Sequence, residues 1–256
     1  MYSTLYTKSN YLNRDIDYLL NTDIREYDLR SAGLSLIKYF KLLPDKDIAY
    51  LDKMEKEPRN KQIGLIQKNK EFARCLLECF SEARRMFFEA NQIQDSDVLS
   101  IKKDAIFIVG KYCHNNVFGD LEFRVKNQYL GYMLLNKKEF YYTNPNTDLD
   151  VKGLGSDVLA YHGEYMLDFM RDVFSMSIYS SRESLISYIT DFISDYRNRR
   201  LSYGYYRNLD VGNFYTVIDE EAGRMNILDV DDSEDVNLDI TYNYFNYILP
   251  IASIYI

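Results

Sequence analysis

Apolar and polar positions divide the chain into stretches of two periods. Ile24 to Leu29 (IREYDL) alternates and predicts a short strand. Ser31 then stands as an N-cap, and Leu34, Ile37 and Phe40 fall at helical spacing within Ala32 to Leu43, before Pro44. Residues 45–91 predict helix nearly throughout, with a break around Glu57-Pro58. Beyond that break, Phe72, Leu76, Phe80, Phe87 and Phe88 line a single apolar face. Asp97 to Gly110 reads DVLSIKKDAIFIVG, which predicts two short strands about a tight turn that holds Asp104. Leu121 to Lys126, Tyr129 to Leu135 and Leu149 to Leu154 predict further strands, with a turn at Asn144-Pro145-Asn146. Val158 to Arg200 is helical in pattern, through Leu167, Phe169, Met170, Phe174, Leu185, Ile189 and Phe192. Residues 1–22 read as a polar, extended arm.

The distribution of charge says more than bulk composition does. The net charge is −8, yet residues 206–256 alone hold ten acidic side chains against Arg207 and Arg224. Residues 1–205 are therefore balanced, and a neutral body with a local basic face still suits a phosphate partner. The 25 tyrosines, with no tryptophan, are compatible with base stacking and equally with half-buried packing. Cys75, Cys79 and Cys113 show no framework spacing and read as reduced, buried thiols. The opening MYSTLYTKSN has no apolar core, and no stretch of about 18 apolar residues spans a bilayer, so a cytoplasmic protein is expected.

Candidate chemistry collects at two aspartates. Asp28 closes a predicted strand beside a helix N-terminus, a place where a metal–triphosphate complex would find backbone N–H donors. Asp104 sits 76 residues on, at the hairpin turn, where an unpaired charge is either solvated or used. Between them lies a basic run, Arg59, Lys61, Lys68, Lys70 and Arg74, against Glu71 alone. Other sites fare worse. The cysteines and His114 match no common zinc spacing, and the run Asp229 to Asp235 lacks the glycine and closing glutamate of a calcium loop. Two histidines, His114 and His162, give a histidine triad little support.

In order and spacing, residues 23–155 resemble the palm of family B DNA polymerases. Asp28-Leu29-Arg30-Ser31-Ala32-Gly33-Leu34-Ser35 stands where that family has an aspartate followed by Ser-Leu-Tyr-Pro-Ser. Lys102-Lys103-Asp104-Ala105 matches its Asp-Thr-Asp-Ser hairpin, Lys137-Lys138-Glu139-Phe140-Tyr141 its Lys-Lys-Arg-Tyr strand, and Lys152-Gly153-Leu154 its Lys-Gly-Leu. Lys102 replaces the first hairpin aspartate, Gly33 replaces the sugar-gate tyrosine, and the Asn-Ser-x-Tyr-Gly end of the fingers helix is missing.

The resemblance implies an α+β fold: an antiparallel polymerase-like palm over 1–155 with fingers-like helices at 45–91, then a helical, thumb-like subdomain at 156–256. It implies a nucleotidyltransferase that uses magnesium or manganese held by Asp28 and Asp104. Ser31, Ala32, Gly33, Arg59, Lys61, Lys68 and Lys70 would contact the nucleoside triphosphate. Lys137, Lys138, Tyr141 and Lys152 would contact a DNA or RNA primer–template. With Gly33 at the gate, discrimination against ribonucleotides is expected to be weak. A stripped-down enzyme of this kind is expected of a virus or mobile element, in the host cytoplasm, with a partner subunit and no membrane. The alternative reading is a palm that has lost catalysis, with Lys102 in place of a metal, and serves as a nucleic-acid-binding or assembly subunit.

Overall fold

The alternation at Ile24–Leu29 belongs to a longer strand. In the computed structural model, which describes residues 2–143, 149–212, 214–228 and 237–256, it is the end of β2 (Tyr18–Leu29). The expected turn at Asn144-Pro145-Asn146 and the acidic run Asp229 to Asp235 lie outside the described residues. The fold is mixed α/β, built on antiparallel strand pairs. The chain divides into two units, one of residues 1–16 and 22–128, the other of 17–21 and 129–256. The division therefore falls inside a strand at 128/129, and not at residue 155.

The first unit contains β1 (Asn10–Leu12), most of β2, α1 (Ala32–Tyr39), α2 (Asp45–Asp52), α3 (Lys56–Ile66) and α4 (Lys70–Ala90). The hairpin β3 (Val98–Lys102) and β4 (Ala105–Val109) follows, then β5 (Val117–Phe118) and the first half of β6 (Leu121–Leu135). Strand order is β1-β3-β4-β2-β6, with β5 paired to β6. Tyr27 and Leu29 of β2, Ile106 and Ile108 of β4, and Leu121 and Phe123 of β6 share one face of this sheet. Leu76, Phe80, Ala83 and Phe87 of α4 cover that face, and the rings of Phe87 and Phe123 stack with centroids 4.5 Å apart. Period two then sends Asp28 to the opposite face, together with Glu122 and Arg124.

Helix breaks differ from those expected. Pro58 lies in the first turn of α3, where a missing N–H costs nothing, and the breaks fall at 53–55 and 67–69 instead. Asn69 starts α4 by accepting hydrogen bonds from the N–H groups of Glu71 and Phe72. Likewise 121–135 is one strand, and side-chain hydrogen bonds hold its polar pair Asn127-Gln128 against β2: Asn127 donates to Glu26 at 2.7 Å and Gln128 to Asp23 at 2.8 Å.

The second unit holds the rest of β6 with β7 (Lys138–Tyr142) and β8 (Leu149–Lys152), then α5 (Ser156–His162), α6 (Met166–Tyr179) and α7 (Arg182–Arg197). A hairpin, β9 (Phe214–Asp219) and β10 (Gly223–Leu228), precedes the C-terminal helical run through α8 (Thr241–Asn243) and α9 (Leu249–Tyr255). The region after 155 is thus helical with an added hairpin. Its core joins Phe140 and Tyr142 to Phe169 and Phe174 of α6 and to Ile189 and Phe192 of α7. Many tyrosines are spent on packing: Tyr27, Tyr129, Tyr132, Tyr141, Tyr142, Tyr196 and Tyr247 are fully buried. Among the described residues no helix is long and apolar enough to cross a membrane.

His162, at the end of α5, is fully buried, and burial pulls its pKa from 6.5 down to about 4. The unfolded chain takes up this proton near pH 6.5, the folded chain only near pH 4. Stability is therefore complete above about pH 6.5 and falls as pH drops through that window, by about 3 kcal/mol. Urea unfolding at pH 7.5, 5.5 and 4.5 checks this: a His162→Gln variant is expected to lose the share of the acid slope that this proton supplies. An unchanged slope would show that the imidazole is not the group responsible.

Candidate functional site

Two chain segments bring the aspartates together. Asp28 is paired in register with Ala105, the residue after Asp104, and the Leu29 N–H donates to the Asp104 carbonyl at 3.2 Å. Both carboxylates line a concave cavity of about 500 Å³ in the first unit. Ser31, Ala32 and Gly33 at the start of α1 line it too, as do Lys56, Arg59, Asn60 and Gln67 from α3 and its end. Arg30, Phe80, Lys103 and Arg124 complete its charged and aromatic lining.

Burial raises the Asp28 pKa, and the charge of Asp104 raises it further, against the pull of Lys126 and Arg124. Arg124 Nη2 stands 3.8 Å from the Asp28 carboxylate. Lys103, at the hairpin tip with φ +56°, extends its ammonium over the Phe80 ring, 5.7 Å from the centroid. Lys103, not Lys102, lines the cavity.

Behind the tip lies Arg84 of α4, only 3% exposed. Its Nε donates to the Tyr6 carbonyl at 2.8 Å and its Nη1 to the Lys103 carbonyl at 2.7 Å. Burial lowers its pKa to about 10, opposed by the nearby charge of Asp104. One buried guanidinium thus ties the N-terminal segment and the helix to the turn that presents Asp104.

Ser31 occupies the N-cap position of α1 but adopts φ +47° and makes no side-chain cap bond. Its Oγ instead accepts from Arg59 Nη2 at 3.4 Å, while Arg59 Nε is buried with no partner. A Cβ on Gly33 would come within 3.3 Å of Ile63 Cγ2, so this glycine is where α1 packs closely on α3.

The remaining expected residues are placed elsewhere. Lys61 is two residues, about 200°, around α3 from Arg59, and with Lys68 and Lys70 it is exposed outside the cavity. In the second unit Lys138 pairs with Asp210, and Lys152 lies 2.7 Å from Asp150. Tyr141 is buried and donates to Glu139 at 2.8 Å, which removes it from any surface contact with nucleic acid. Lys137 is exposed in the turn after β6.

Sequence reasoning missed Arg30, Lys56, Lys103, Arg124 and Arg84. A signal existed for the last, a charge on the apolar face of α4, four residues after Phe80 and eight after Leu76. Among the described residues no group of three or more His, Cys, Asp or Glu side chains is placed to hold a metal ion. Asp28 and Asp104 are the carboxylates that line the cavity.

The family described as Bacteriophage PBS1 gene 130 protein matches over residues 1–256. No curated protein matches the chain. Among solved structures, the chain is similar to the family B DNA polymerase from the hyperthermophilic archaeon Pyrobaculum calidifontis, with 11% sequence identity and a TM-score of 0.40. That match covers 94% of this chain and 47% of the archaeal one, so the chain spans about half the length of its counterpart.

Proposed function

The chain belongs to the Bacteriophage PBS1 gene 130 protein family, and we propose that it is a divalent-metal-dependent nucleotidyltransferase with a polymerase-like palm in its first unit. The observation that carries this reading is the cavity itself, where Asp28 and Asp104 open beside the cations of α3 and the start of α1. Two carboxylates whose charges oppose each other suit a magnesium or manganese ion, which would relieve the upward push on Asp28. When bound, the metal supplies charge stabilisation at the reacting phosphate.

The protein's own groups do the rest. Arg59 and Lys56 bind the triphosphate, and the N–H groups at the start of α1 add donors to it. Arg124 balances Asp28, and Arg84 orients the turn that carries Asp104. The growing nucleic-acid end enters on the exposed side of this cavity.

A second reading, a phosphate-binding subunit without catalysis, is favoured by one contact. Arg124 already lies 3.8 Å from Asp28 and offsets part of its charge without a metal. Primer extension with magnesium or manganese separates the two. Extension by the wild type that vanishes in Asp104→Ala supports the enzyme; equal, salt-sensitive binding of a primer–template by both proteins, with no extension, supports the subunit.

A further inference from the structure

The charges of the cavity are not equally compensated, and the inequality bears on which end of a substrate is held first. Asp28 has Arg124 beside it, Asp104 has the buried Arg84 within electrostatic reach, and Arg30 pairs with Glu122 at 3.0 Å. Lys56, Arg59 and Lys103 are different: among the described residues none of the three has a carboxylate within ion-pair distance. Arg59 also keeps a buried Nε donor without an acceptor, which is costly unless something supplies one. The space they line is concave and about 500 Å³, with room for a compact polyanion.

We propose that this cavity binds the triphosphate group of a nucleotide without any divalent metal, with Arg59 as the principal anchor and Lys56 and Lys103 flanking it. The proposal rests on the reading of the cavity as a triphosphate site, but not on catalysis there. It has a consequence of sign. If the cations alone hold the polyanion, the two aspartates repel it, and removing one of their charges strengthens binding. If a metal carried by the aspartates were the anchor, the same change would weaken it.

The test uses inorganic tripolyphosphate as the probe, titrated calorimetrically into the full chain in excess EDTA. Wild type is expected to bind saturably. Arg59→Gln is expected to lose about tenfold in affinity or more, the loss that follows when a charge-assisted contact is removed. Asp104→Asn is expected to bind at least as tightly as wild type, with circular dichroism confirming that both variants are folded. No binding by wild type in EDTA, or an Asp104→Asn affinity that falls as Arg59→Gln does, overturns the proposal. So does equal binding by wild type and Arg59→Gln, which would put the polyanion elsewhere. The outcomes are separable from those of primer extension. Binding in EDTA without extension removes the catalytic reading and leaves this inference standing, whereas extension without binding in EDTA does the reverse.

Discussion

Replacing either Asp28 or Asp104 by asparagine is expected to reduce nucleotidyl transfer by at least about 10²–10³-fold, the loss typical when charge stabilisation is removed from a reacting centre. Asparagine keeps the size and the local backbone, so the strand pairing of Asp28 with Ala105 and the Leu29–Asp104 hydrogen bond should survive. The informative comparison is the double variant. Both side chains line one cavity, and groups that act as a unit are not additive: once one is lost, the second has little left to lose. Primer extension rates for the two single variants and the double variant should therefore be alike. A double variant slower by the product of the two single losses would mean that the aspartates act independently.

The second large effect is expected at Arg84. Arg84→Met leaves the part-buried carbonyl oxygens of Tyr6 and Lys103 without their donor, at up to about 1–3 kcal/mol for each. Removing a buried charge returns some of this, so a net loss of about 2–4 kcal/mol in stability is expected. Arg84→Lys has a single ammonium in place of the fork and should recover a fraction of that loss. Urea unfolding of the two variants gives the stabilities. If Arg84→Met were as stable as wild type, the guanidinium would not be what holds the hairpin tip in place.

How much of this was legible in the sequence varied with the distance over which a signal acts. The hairpin was readable because Val98–Lys102 and Ala105–Val109 carry their own apolar runs and a charged tip. The placement of Asp28 followed from alternation along β2, since Tyr27 and Leu29 had to face the core. Periodicity gives a face but not a partner. Arg124 falls on the polar side of β6, and nothing local says that Asp28 lies across from it. The choice between Lys102 and Lys103 turned on one residue of register, with Lys102 ending β3 and Lys103 taking the left-handed position at the tip. The basic run after Pro58 was read as one surface, whereas the helix turns Arg59 and Lys61 to different sides. Lys138 and Tyr141 match the Lys-Lys-Arg-Tyr strand of the resembled family, which implies contacts with nucleic acid; in the structure Tyr141 is fully buried and Lys138 is tied to Asp210.

The catalytic reading stands or falls on whether Asp28 and Asp104 hold a divalent ion together with a triphosphate bound by α3. Electron paramagnetic resonance of manganese, titrated into the protein in the presence of a non-reactive nucleoside triphosphate analogue, reads this out without relying on turnover. Wild type is expected to take up manganese in the presence of the analogue, and Asp104→Asn to lose about tenfold or more of this affinity while still binding the analogue. Equal manganese binding by the two proteins would contradict the assignment of Asp104 as a ligand.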